Sequence, residues 1–163
     1  MLQGPGQFRH SINNLLRTQG ECADELLSSL EAEREALAAG DAEQLDVVTA
    51  TKSSLLQRLD ELGRQQADLL DGLAFGQHPD GMSQALSWCD PGGDLARLQN
   101  LVVGQLERCR RLNERNGLSV QHRLGYVRRA LDVLYGAPAG SGDVYGPDGR
   151  AKASSSSRLL ASG

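Results

Sequence analysis

The residues of this chain with the most chemistry to offer are three histidines, three cysteines, a group of arginines and a late tyrosine. A metal site or proton shuttle would draw on His10, His78 and His122. They lie far apart in sequence, and none has a ligating residue three or four positions away. Cys22, Cys89 and Cys109 are odd in number and lack the CxxC spacing of a metal or redox pair. Glu33 and Glu35 read as solvated acids on an exposed face rather than as a catalytic pair. No GxSxG, Walker A or dinucleotide fingerprint is present. Gly140, Gly142, Gly146 and Gly149 follow no strand and open no helix, which argues against a phosphate cradle. With no set of nucleophile, base and oxyanion donors, the expectation is a protein that is not an enzyme and holds no metal or cofactor.

The remaining candidates suit binding. Arg108, Arg110, Arg111 and Arg115 could meet an acidic partner, although a solvated face is the simpler reading. Tyr145 is an isolated apolar anchor in a turn-rich tail. Its ring offers contact area and a hydroxyl at low entropy cost, and Gly146-Pro147-Asp148-Gly149 is a turn sequence that could orient it. Folding back onto the helices is the competing reading for this residue.

Charge narrows the partners. The chain carries a formal net charge of -4, which gives no electrostatic case for nucleic acid. Residues 21–71 hold thirteen acids against four basic residues, whereas residues 94–136 hold eight arginines against four acids. An acidic helical pair beside a basic helix would attract each other, although solvated faces of opposite sign fit equally well. Unpaired cysteine usage and the lack of a signal peptide point to the cytosol. No apolar run approaches the roughly 18–20 residues of a membrane span, so stable membrane insertion is not expected.

The elements that must position these residues are helical. Aromatics make up 4% of the chain, and Leu and Ala supply most of its 39% apolar content, which favours helix over strand. A first helix is predicted from about Phe8 to Ala39, after a frayed start over residues 1–6. Its face is Phe8, Ile12, Leu15, Cys22, Leu26, Leu30 and Leu37. Gly40 can terminate it in the left-handed conformation and Asp41 can cap the next, which predicts an antiparallel hairpin. The second helix, about 42–74, carries the seam Leu45, Val48, Lys52, Leu55, Leu59, Leu62, Gln66, Leu69 and Leu73. Lys52 and Gln66 interrupt this seam. Either they fix register, or Lys52 lies at the seam edge with its head in water.

Gly76 to Gly81 predicts a break, and Met82 to Cys89 a short helix whose Trp88 plugs one end of a bundle. Asp94 suits the N-cap of a last helix, about 95–135. Its stripe is Leu95, Leu98, Val102, Leu106, Cys109, Leu112, Asn116, Val120, Leu124, Val127, Leu131 and Leu134. Asn113, Asn116 and Gly117 interrupt it, either as a kink or with Gly117 allowing close helix approach. Because the stripe continues beyond them, one helix is favoured. From Ala137 onward Gly, Pro, Ala and Ser dominate, a composition that cannot offset its ordering entropy. The fold expectation is all-α: an antiparallel bundle of long helices, made of a hairpin, a short connecting helix and a long C-terminal helix. The bundle occupies residues 1–136 and a disordered tail 137–163.

Four segments in order then resemble one family. They are Lys52-Ser53-Ser54-Leu55-Leu56, Asn113-Glu114-Arg115-Asn116-Gly117, Ala130-Leu131-Asp132-Val133-Leu134 and Tyr145-Gly146-Pro147-Asp148-Gly149. The second is similar to the N-x-x-N-G signature, and the last to the Y-G-x-D-G tail, of the FlgN family of flagellar export chaperones. Lys52, Asn113, Asn116, Gly117, Gly146, Asp148 and Gly149 are thus matched motif positions. Leu118-Ser119 departs from the bulkier apolar residues common in the family after the N-G. The resemblance implies a cytoplasmic chaperone without enzymatic activity that binds hook-associated proteins, keeps them from premature association and delivers them to the flagellar type III export gate. It further implies that Tyr145 docks on that gate. A helix-in-groove mode would place the client on Leu124, Val127, Leu131 and Leu134, with the chain a monomer or weak homodimer. The competing expectation is a structural coiled-coil scaffold that self-associates through the seam of residues 45–73.

Overall fold

The computed structural model describes residues 4–75 and 77–135, with the side chains of 123, 126 and 132–135 outside the description. The described residues form four helices and no strand: α1 Pro5–Ala39, α2 Ala42–Asp71, α3 Gly81–Cys89 and α4 Asp94–Tyr135. The all-α expectation holds. The chain divides into two units, Met1–Arg123 and Leu124–Gly163. The expected tail, residues 137–163, lies outside the described residues.

Local sequence explains the boundaries. α1 starts earlier than its apolar pattern suggested. Pro5 occupies the first turn, where a missing N–H costs nothing, and Phe8 N donates to Gly4 O at 3.1 Å. Gly40, at φ 72°, closes α1, with Asp41 N bonded to Ala36 O at 3.0 Å. The Asp41 carboxylate then accepts from Gln44 N at 3.0 Å and opens α2. α2 ends at Asp71, three residues short of the expected 74. The start of α4 corrects the sequence reading. Asp94 is already helical and pairs with Arg97, while the buried carboxylate of Asp90 accepts from Leu95 N at 2.8 Å.

α1 is the spine of the first unit. Phe8, Ile12, Leu16, Cys22 and Leu30 are at most 1% exposed, and Leu55 and Leu62 of α2, Leu86 of α3, and Leu95 and Cys109 of α4 join them in one core. Burying a side chain of this size contributes about 1.5–3 kcal/mol. Trp88 lies 6.2 Å from Phe8 and 6.0 Å from Phe75 between ring centroids, which gathers these three aromatics near the start of α1. Among the described side chains of α4, the buried ones are Leu95, Val102, Cys109 and Asn116, a heptad repeat on one face.

Cross-helix bonds set directions. Glu33 of α1 meets Lys52 of α2, and Gln19 meets Gln66, so the two helices run antiparallel. Cys109 reaches Ala23 O and Asn116 reaches Leu30 O, so α4 runs parallel to α1. The close approach of α1 and α4 is at Gly20, where an added Cβ would meet Gln105 at 3.4 Å and Val102 at 3.5 Å. Gly117, read as either part of a kink or a point of close approach, has nothing within 4 Å of that position, and α4 runs through it as one helix.

Candidate functional site: a buried polar junction and an exposed apolar face

Each interruption of the α2 seam has a polar partner on α1. Gln66 Oε1 accepts from Gln19 Nε2 at 3.0 Å. Lys52 Nζ donates to Glu33 Oε1 at 2.6 Å. Glu33 is therefore not a solvated acid. Its side chain is 8% exposed and that of Lys52 19%, so Lys52 does not hold its head in open water either. The solvated reading was correct for Glu35, which is exposed.

α4 completes the junction around Glu33. Asn116 is 3% exposed, and its Nδ2 donates to Glu33 Oε2 at 2.8 Å and to Leu30 O at 2.9 Å. Lys52 Nζ also donates to Asn113 Oδ1 at 3.3 Å. Both Glu33 oxygens are thus engaged, one by each neighbouring helix, and the buried carboxylate has the partners that burial demands. A buried acid that ties two other helices to its own fixes which residues may stand at this level. Removing one partner of such a pair typically costs about 3–5 kcal/mol, and the partial exposure of Lys52 favours the lower end.

The junction marks a change in α4. Asn116 is the last described residue of that helix to be buried. Beyond it Leu118 is 56% exposed and Val120 39%. In the second unit Leu124 is 64% exposed, Val127 52% and Leu131 44%. Spaced three and four apart, these three share one face of a helix. The side chain of Leu134 is outside the described set, as are Tyr145, Gly146, Asp148 and Gly149 altogether.

A family model described as FlgN protein matches residues 8–153, most of the chain. The chain belongs to the FlgN family. No curated protein and no solved structure matches it. FlgN proteins are chaperones of flagellar type III export, and that general role extends to this chain. Of the matched motif positions, the fold brings Lys52, Asn113 and Asn116 into the junction around Glu33, while Gly117 stands in open space.

Other chemistry is quiet. Burial raises the thiol pKa of Cys22, Cys89 and Cys109, and neighbouring Glu25, Asp90 and Asp24 respectively push the same way, so all three stay protonated at neutral pH. No group of three or more His, Cys, Asp or Glu among the described residues could hold a metal ion. No helix among them is long and apolar enough to cross a membrane. The arginine cluster is a solvated face stitched mainly within α4: Arg110 pairs with Glu107 and Glu114 at 3.2 Å, and Arg111 with Glu107 at 3.8 Å. Arg108 crosses to Glu31 of α1 at 3.7 Å. At these exposures such pairs stabilise little.

Sequence reasoning missed Glu33, Gln19 and Asp90. The first two had a readable signal. The apolar face of α1 skips from Leu15 to Cys22 and from Leu30 to Leu37, and Gln19 and Glu33 fill those gaps at helical spacing.

Proposed function

We propose that this FlgN-family chain is a cytoplasmic, non-enzymatic chaperone that binds hook-associated proteins, keeps them from associating early and delivers them to the export gate. The observation that carries this reading is the face Leu124, Val127 and Leu131, which is apolar, helical and exposed. A disordered client segment that forms an amphipathic helix on contact would bury these residues together with Leu134. Tyr145 serves as a separate handle for the gate.

The scaffold reading is less well supported. Val48, Leu55 and Leu62 of the α2 seam are at most 7% exposed within a single chain, with the seam turned toward α1. That leaves little for permanent self-association, and a monomer or weak dimer is expected. The deciding experiment mixes the purified chain with a hook-associated protein at micromolar concentration and follows size exclusion. A one-to-one complex is expected. Two separate peaks with the wild-type chain would overturn the client reading.

A further inference from the structure

The exposed face of α4 differs from the rest of that helix in how its charges are met. Arg97 pairs with Asp94, Arg108 with Glu31, Arg110 with Glu107 and Glu114, and Arg111 with Glu107. Residues 115–135 hold four arginines and a single acid, Asp132. Arg128 and Arg129 are exposed and have no carboxylate partner among the described residues. One aspartate cannot neutralise four guanidinium groups, so this stretch stays positive whatever Asp132 does. Arg128 follows Val127 directly and stands four residues after Leu124, at the border of the apolar face.

We propose that this face takes an amphipathic helical segment whose apolar side is bordered by aspartate or glutamate. The inference rests on the reading of Leu124, Val127 and Leu131 as the client surface, and it specifies the client's chemistry. Apolar burial supplies affinity; Arg128, flanking the face, sets orientation and rejects segments bordered by lysine or arginine, while the other arginines add to the long-range steering. The acidic excess of residues 21–71 offers the same segment no competing basic surface there. A basic amphipathic helix also suits an anionic lipid surface. The chaperone role of the family favours the peptide over the lipid.

The test uses the full chain and two synthetic helical peptides with identical leucine spacing, one bordered by glutamate and the other by lysine. Vesicles of phosphatidylcholine with phosphatidylserine serve as the lipid arm. At about 50 mM salt the glutamate peptide is expected to bind at least about tenfold more tightly than the lysine peptide. That preference should fade toward about 500 mM. Arg128→Glu with Arg129→Glu should abolish or reverse it. Equal binding of the two peptides, preference for lysine, no binding of either, or binding to vesicles alone would overturn the proposal. Size exclusion with a hook-associated protein separates the two levels. A complex that tolerates the arginine reversals but is lost on Leu124→Asp with Leu131→Asp sinks the acidic partner and keeps the client surface. No complex with the wild-type chain sinks the client reading itself.

Discussion

Asp94–Asn116 and Gly117–Tyr135 belong to one helix, yet they meet their surroundings in opposite ways. The first stretch buries a residue at every heptad: Leu95, Val102, Cys109 and Asn116 are at most 4% exposed. The second has similar apolar residues at similar spacing, but Leu124, Val127 and Leu131 are 44–64% exposed. Amphipathicity therefore does not decide which part of α4 joins the core. The first stretch is held against α1. Asn116 bonds Glu33, and α1 ends only six residues later, at Ala39. An exposed apolar helix face needs either a partner or a tolerance for water, and an export chaperone has use for the first.

The largest expected effect breaks the comparison at the junction. Glu33→Leu leaves Lys52 without its carboxylate and Asn116 without one acceptor. It should cost about 3 kcal/mol in urea unfolding. Asn116→Asp sets a second carboxylate against Glu33 and Leu30 O and should cost as much or more. Glu33→Leu combined with Lys52→Met should recover most of the loss, since an apolar pair of similar volume needs no desolvation. A double variant no better than Glu33→Leu alone would show that the junction's worth lies in the Asn116 bonds.

That junction also shows how far the sequence could be read. The leucine seam of α2, the Gly40-Asp41 turn and the α4 stripe were legible because each follows from spacing or from one residue's conformational preference. Glu33 left only a gap in the α1 face, because a glutamate outside an apolar list looks solvated until its partner is placed. Only a comparison of two helices exposes the match: Gln19 and Glu33 lie two heptads apart on α1, as Gln66 and Lys52 do on α2. An antiparallel slip of one heptad would set Lys52 against Leu26 and Glu33 against Leu45, burying both charges among leucines. The two polar rungs thus specify one register. Asp90 was missed because its cap reaches Leu95 N across the turn through Gly93, at φ 77°, whereas Asp94 occupied the expected position in sequence.

A second comparison uses one substitution twice. Val102 is 3% exposed and Val127 52%. Val102→Ala should lower stability by about 2 kcal/mol through lost burial and the space left behind. Val127→Ala should stay within about 0.5 kcal/mol. Client affinity should respond in reverse, falling for Val127→Ala and holding for Val102→Ala while the chain stays folded. Equal stability losses at the two sites would mean that Val127 is covered in solution, by self-association or by the chain itself.

A smaller effect follows from the thiols of the buried stretch. Cys109 donates to Ala23 O at 3.3 Å, and Cys22 to Leu55 O at 3.6 Å. Burial, the largest cause, raises both above their unfolded values. Above about pH 8.5 the unfolded thiols ionise while the buried ones keep their protons, so the unfolded state binds fewer protons and is favoured. Their contribution is complete below that pH and declines as pH rises toward the folded values. Melting temperatures between about pH 7.5 and 9.5 should fall, and Cys22→Ala with Cys109→Ala should flatten the slope. Client binding should be less affected, since no cysteine lies beyond Gly117.

The smallest expected effect tests the boundary itself. Nothing stands within 4 Å of a Cβ added at Gly117, and its backbone is helical. Gly117→Ala should therefore stabilise by about 0.5–1 kcal/mol, the helix-propensity difference. If α4 acts as one rigid helix, client affinity will be unchanged. If the exposed stretch must bend against the buried one to close on a client, alanine will weaken binding although it touches neither the junction nor the apolar face. Stability and affinity moving in opposite directions would identify Gly117 as a hinge between the two stretches, and would give the glycine of the N-x-x-N-G signature a role that packing does not supply.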